Sequence, residues 1–298
     1  MNYSKPPLSF QQQIEAFKQR GLTFEDEHPS RVFLENISYY RLRAYTYPFQ
    51  DNSNSQHPFI KKISFEEIIT LYNFDSKLRT LVFEALEKIE IAFRTQIIYR
   101  WSMEYGSHWY TDPMLFRNSM YFANSLSSLE KEINRSDETF IKHYNETYTH
   151  PKLPPSWMSL EVSSLGLLSK LFSNLKRNAQ KKAFTQHFGV YKVEVLENWM
   201  RSFCNIRNIC AHHSRLWNRR LSTQLELPEK TKYEFINREH IYRNKIYPAL
   251  CAMQYILEII NPKNGFKTKL IELMNDWPLQ QEKDMGFPIG WQHEKFWN

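Results

Sequence analysis

Between Arg201 and Arg220 the chain carries five arginines and two histidines and no acidic residue. Arg207, Asn208 and His212 are the residues in this run with complementary chemistry. An imidazole takes or gives a proton near neutral pH. A guanidinium neutralises charge that develops on a phosphoryl group, and a carboxamide orients a ring or holds a phosphate oxygen. The set is therefore read as catalytic, with a phosphodiester as the group it would act on. On a helix predicted over about 192–219, Arg201, Asn205, Asn208, His212, Arg215 and Arg219 share one side at alternating spacings of four and three. Leu196, Trp199, Met200, Phe203, Cys210, Ser214 and Trp217 fall on the other and form its core face. Arg201, Asn205, His213, Arg215 and Arg219 are the residues expected to follow a polyanionic backbone.

Arg207 breaks this division, because the wheel puts it inside the apolar arc. A buried guanidinium needs a carboxylate or a set of hydrogen bonds, and the expected partners are Glu87 or Glu90 on an earlier helix. Glu90 or Arg94 of that helix is a candidate to support the site, against the reading that Glu84/Lys88 and Glu90/Arg94 are ordinary i,i+4 surface pairs. His212 likewise has a plainer reading, as a solvated surface histidine.

The elements that must position these groups are helical. Glycine is scarce, at 7 residues of 298 against a usual share of ~7%, and aromatics make up 15%. Few sharp turns and many bulky side chains imply an all-α chain with a large core. Helices are predicted over about 10–20, stopping at Gly21, and over 31–36. A tyrosine-dense segment follows to Phe49, closed by Pro48. Ser64 and Glu67 form a capping box, opening a long amphipathic helix to about Trp101 through Leu78, Leu81, Val82, Ala85, Ile89, Phe93 and Ile97. Further helices are expected over 119–133, 138–148, from Ser156 to about Asn174, over 180–187, 233–260 (with a kink at Pro248) and 268–275. An N-terminal helical segment (1–60) would pack on a helical core (61–280), followed by an aromatic tail (281–298) that is either core or partner surface.

Net charge is +7 and the pI about 9.1, which fits a polyanionic partner once localised on one helix. Three cysteines without paired spacing argue for a reducing compartment. Met1–Phe10 has no apolar core of a signal peptide, and the best apolar stretch, Leu250–Ile260, is interrupted by Gln254 and Glu258. A cytoplasmic protein without membrane contact is expected. No metal and no cofactor is expected either: Cys210, His212 and His213 lack zinc spacing, and phosphate-loop and hydrolase signatures are absent.

Arg207-Asn-Ile-Cys-Ala-His212 resembles the R-x4-6-H motif of HEPN-superfamily ribonucleases. The longer run Arg207–Arg219 is similar to the signature of the Abi-like abortive-infection family, of the AbiD/AbiF type. Ile37–Tyr45, Ala85–Arg94, Pro155–Glu161 and Met285–Trp291 extend the resemblance along nearly the whole chain. The resemblance implies a HEPN-like helical bundle with added N- and C-terminal helices, a homodimer, and phage defence by a toxin that cleaves RNA. A small noncoding RNA or an antitoxin is implied as a further partner. On this basis Arg207, Asn208 and His212 would catalyse metal-independent attack by the 2′-hydroxyl, leaving a 2′,3′-cyclic phosphate. The competing reading is a non-catalytic RNA-binding or nucleotide-sensing helical module.

Overall fold

The computed structural model of the chain describes residues 2, 6–276 and 282–298. Among the described residues there are thirteen α-helices and no strand, only isolated bridges. The all-α class expected from the scarcity of glycine is what the chain adopts. It divides into two compact units, Met1–Arg79 and Thr80–Asn298.

In the first unit, α1 (Phe10–Gln19), α2 (Glu27–Asn36), α3 (Tyr39–Thr46) and the opening turns of α4 (Phe65–Tyr105) bury Ile14, Phe17, Leu34, Leu42 and Phe65. Side chains cap each start: Ser9 for α1, Asp26 for α2, Ser38 for α3. The Asp26 cap starts α2 earlier than the apolar pattern suggested. Before α4 the capping box forms as expected, Glu67 accepting from the Ser64 N–H at 2.7 Å and Ser64 Oγ from the Glu67 N–H at 3.1 Å. Gly21 follows α1 with φ +98°, a left-handed conformation that glycine adopts without steric cost. The unit also buries a charged cluster: Tyr45 donates to Asp75 at 2.6 Å, and Arg79 bonds both Asp75 and the Tyr45 hydroxyl.

The second unit comprises the rest of α4 with α5 (Ser119–Asn134), α6 (Thr139–Thr147), α7 (Ser156–Ser159), α8 (Leu165–Asn174), α9 (Ala179–His187), α10 (Val193–Ala211), α11 (Ile246–Ile260), α12 (Phe266–Asn275) and α13 (Glu282–Met285). Phe93 of α4 stacks among Phe184, Phe188 and Phe203, so α4, α9 and α10 share one aromatic core. Every residue of α11 from Ile246 to Leu257 is buried, which makes it the central core helix. No helix among the described residues is long and apolar enough to cross a membrane.

Three further helices are bounded differently from expectation. The helix from Ser156 breaks after Ser159, and Ser164 caps a new one, since serine competes for backbone partners and favours such starts. The helix expected over 233–260 begins only at Ile246, so that Pro248 lies in its first turn, where the missing N–H leaves no bond unmade. The helix expected to reach Arg219 ends at Ala211. The chain then turns to carry Leu216 and Trp217, both fully buried, into the core, which a straight continuation of α10 would not do. In the aromatic tail (Gln281 lies outside the described residues) Met285, Phe287, Trp291 and Trp297 are core, whereas Ile289 is fully exposed. Phe287 and Trp291 pack on Tyr247, and Trp297 Nε1 donates to the Tyr247 hydroxyl at 3.1 Å.

Candidate functional site

Helix α10 is held by its apolar face, where Leu196, Trp199, Met200, Phe203 and Ile206 are buried, while Arg201 and Asn208 are exposed and Asn205 half-buried. Its C-terminus closes by two bonds, His213 N–H to Cys210 O at 3.0 Å and Ser214 N–H to Ile209 O at 2.9 Å. These are the paired bonds of a Schellman ending. The residue in the left-handed position is His213, with φ +52°, where glycine is the usual occupant. His212 is thus the C-cap residue, exposed at the tip of the helix.

After this turn the chain runs back beside α10. Asn198 donates to Gln224 O at 3.0 Å and accepts from the Glu226 N–H at 2.9 Å, Trp199 Nε1 donates to Glu226 O at 2.8 Å, and Asn205 Nδ2 donates to Thr223 Oγ1 at 2.9 Å. The returning segment and the helix enclose an open cleft of ≈ 350 Å³. Asn205, Asn208 and His212 line it from α10, and Arg219, Arg220 and Thr223 from the opposite wall. A proton-transfer group, two carboxamides and two guanidinium groups therefore line one open cleft, an arrangement suited to a phosphate diester.

The predicted residues divide accordingly. Asn205, Asn208, His212 and Arg219 come together, but not as one helical face: His212 caps the helix, and His213, Arg215 and Arg219 lie beyond it. Arg219 Nη1 donates to Arg215 O at 3.2 Å, and the Arg215 guanidinium lies 5.8 Å from the Trp217 ring. His213 is exposed. Arg201 lines a separate hollow together with Cys204, and Asn205 lines both. Arg220, Ser222 and Thr223 were not singled out from the sequence, although Arg220 closes the basic run that was.

Arg207 is placed differently from its prediction. It is half-exposed rather than buried, lies 5.9 Å from the Phe83 ring centroid, and does not line the His212 cleft. None of the ion pairs among the described residues involves it. Glu87 is exposed. Glu90 is engaged by Arg94 at 2.8 Å, and Arg94, itself buried, also donates to Ser163 O at 2.8 Å. The pair ties α4 to the turn before α8 and is not a surface pair. The Cys204 thiol is pushed up by burial, with Arg207 opposing the shift. Among the described residues no three His, Cys, Asp or Glu side chains are grouped to hold a metal ion.

The family model described as Abi-like protein matches residues 32–218, which takes in the whole of α10 and the turn at His212 and His213. Comparisons with curated proteins and with solved structures found no match.

Proposed function

The chain belongs to the Abi-like protein family, and from that premise, which points to phage defence by abortive infection, we propose that it is a metal-independent endoribonuclease of the HEPN type. The observation that carries this reading is the cleft in which His212 and Asn208 face Arg219 and Arg220. His212 removes the proton of the substrate's 2′-hydroxyl, the 2′-oxygen bonds to phosphorus, and the P–O5′ bond breaks. The leaving oxygen takes up a proton from a second acid, and the product carries a 2′,3′-cyclic phosphate. Asn208, one turn before His212, holds the imidazole or a phosphate oxygen. Arg219 and Arg220 neutralise the phosphate.

One chain offers His212 to the cleft but not Arg207. A homodimer resolves both this and the need for a second acid, since two-fold symmetry lets a second copy bring its own Arg207 and His212 to the same phosphate. The toxicity of such an enzyme requires a restraining partner, a noncoding RNA or an antitoxin.

The decisive experiment incubates wild type and His212→Ala with labelled RNA and matched DNA in excess EDTA and analyses the product ends. RNA-only cleavage leaving cyclic phosphate, and lost in the variant, supports the reading. The outward placement of Arg207 against Phe83 favours the second reading, a non-catalytic RNA-binding or nucleotide-sensing module. That reading prevails if both proteins bind RNA and neither cuts it.

A further inference from the structure

A hollow of ≈ 940 Å³ opens between α5, α8 and α10, and Asn205 lines both this hollow and the His212 cleft. The two spaces are therefore neighbours along α10. Helix α8 packs against both α5 and α10, closely enough at Gly166 that a Cβ there would stand 3.3 Å from Cys204 Sγ.

The walls have a consistent chemistry. Arg201 from α10 and Lys170 from α8 are exposed, and none of the ion pairs among the described residues involves either. Arg117 also lines the hollow, 3.6 Å from Glu197 and bonded to Ser173 O. Tyr121 on α5 presents its ring, 60% exposed. The remaining polar lining is mostly neutral amides and hydroxyls, such as Asn124 and Ser128. Glu132, the carboxylate in this lining, is occupied at the start of α8, accepting from the Ser164 N–H at 2.8 Å and its hydroxyl at 3.0 Å.

Unpaired cations, an exposed aromatic face and neutral hydrogen-bonding groups are the three components used to hold single-stranded nucleic acid. Pockets of ~300–1,000 Å³ enclose a drug-sized ligand, so this one has room for a short run of nucleotides. A duplex hides its base edges and would leave the amides idle. An acidic peptide would use the cations but not the ring. We infer that this groove binds single-stranded RNA next to the phosphate in the His212 cleft, with Lys170 and Arg201 on backbone phosphates and a base stacked on Tyr121. The choice of RNA rests on the ribonuclease reading; the positions come from the groove.

The test measures binding to the His212→Ala protein by fluorescence anisotropy, using a short labelled single-stranded RNA, its duplex and a polyglutamate peptide. Lys170→Ala and Arg201→Ala should each weaken the single strand about tenfold and flatten the salt dependence by about 0.7 per lost phosphate contact. Tyr121→Ala should weaken it about tenfold and Tyr121→Phe should restore it, with the duplex unaffected. Unchanged affinity in these surface variants overturns the proposal. So does polyglutamate displacing the RNA with indifference to Tyr121. Cleavage by wild type is followed in parallel on the same RNA. Cutting that survives every groove variant, with binding unchanged, removes the groove and leaves the ribonuclease reading. Groove variants that lose binding while wild type cuts nothing remove the ribonuclease reading and leave the groove.

Discussion

His213 sits where the backbone of α10 turns left-handed, at φ +52°, and a side chain there costs on the order of 1–2 kcal/mol relative to glycine. Its neighbour His212 gains its place at the cleft from that turn, since the His213 and Ser214 amides close the helix on Cys210 and Ile209. Replacing His213 by glycine should keep the turn and relieve the strain, raising Tm by about 2 °C in thermal unfolding. A lower Tm would mean that the imidazole of His213 itself holds the turn. At this scale the sequence was informative about residue type and less so about direction. The basic run, Asn208 and His212 were all visible as candidates. Arg207 was assigned a buried position because the wheel treats each residue as pointing radially, whereas a long guanidinium can swing outward and lie against Phe83.

Asn198 joins α10 to the returning segment by bonds to both Gln224 O and the Glu226 N–H. Asn198→Ala leaves two backbone groups without these partners, a loss of about 2 kcal/mol. Faster amide hydrogen exchange at Glu226 should report the wall loosening, and unchanged exchange would show that Trp199 alone holds it. The clamp between α9 and α10 is electrostatic. Lys181 is fully buried, 2.6 Å from Glu197 and 2.9 Å from Leu175 O. Burial draws its ammonium down to about 8, against the pull of Glu197. A folded-state value below that of the unfolded chain means that the unfolded chain holds the proton more tightly between the two. The stability contribution is then present above about 10.5 and lost as pH falls through about 8. Stability measured by urea unfolding should therefore rise from pH 8 to 10.5 in wild type relative to Lys181→Met; parallel profiles would show that Lys181 does not titrate in this range. Helix cores were legible because burial repeats with the helical period. The end of α10 was not, because Ser214 and Trp217 continue that period although the chain has already turned. The returning segment that builds the cleft wall carries no periodic signal at all.

Across the whole molecule the formal charge of +7 admits two kinds of anion binding, a diffuse attraction by the entire surface or a local one at the groove and cleft. The sequence favoured the local kind, because the arginines of 201–220 stand without an acidic neighbour. It missed Arg117 and Lys170, which the packing of α5 and α8 brings to the same region from distant positions in the chain. The all-α class was legible from glycine scarcity; the place of the tail aromatics was not, because Tyr247, on which Phe287, Trp291 and Trp297 pack, lies on a helix distant in sequence. The two kinds of binding differ in their response to salt. Five local cations, Arg117, Lys170, Arg201, Arg219 and Arg220, contacting one phosphate each, would give log K against log salt a slope of about −3.5 for a single strand. That is roughly a hundredfold loss between 50 and 200 mM salt. Lys61→Glu with Lys62→Glu, both exposed in the first unit, removes more net charge than Lys170→Ala with Arg201→Ala. With local binding, the first pair leaves the slope near its wild-type value and the second flattens it by about 1.4. If instead the slope follows net charge, so that the double glutamate variant flattens it more, the anion is held by the surface as a whole and the cleft has no special claim on the phosphate.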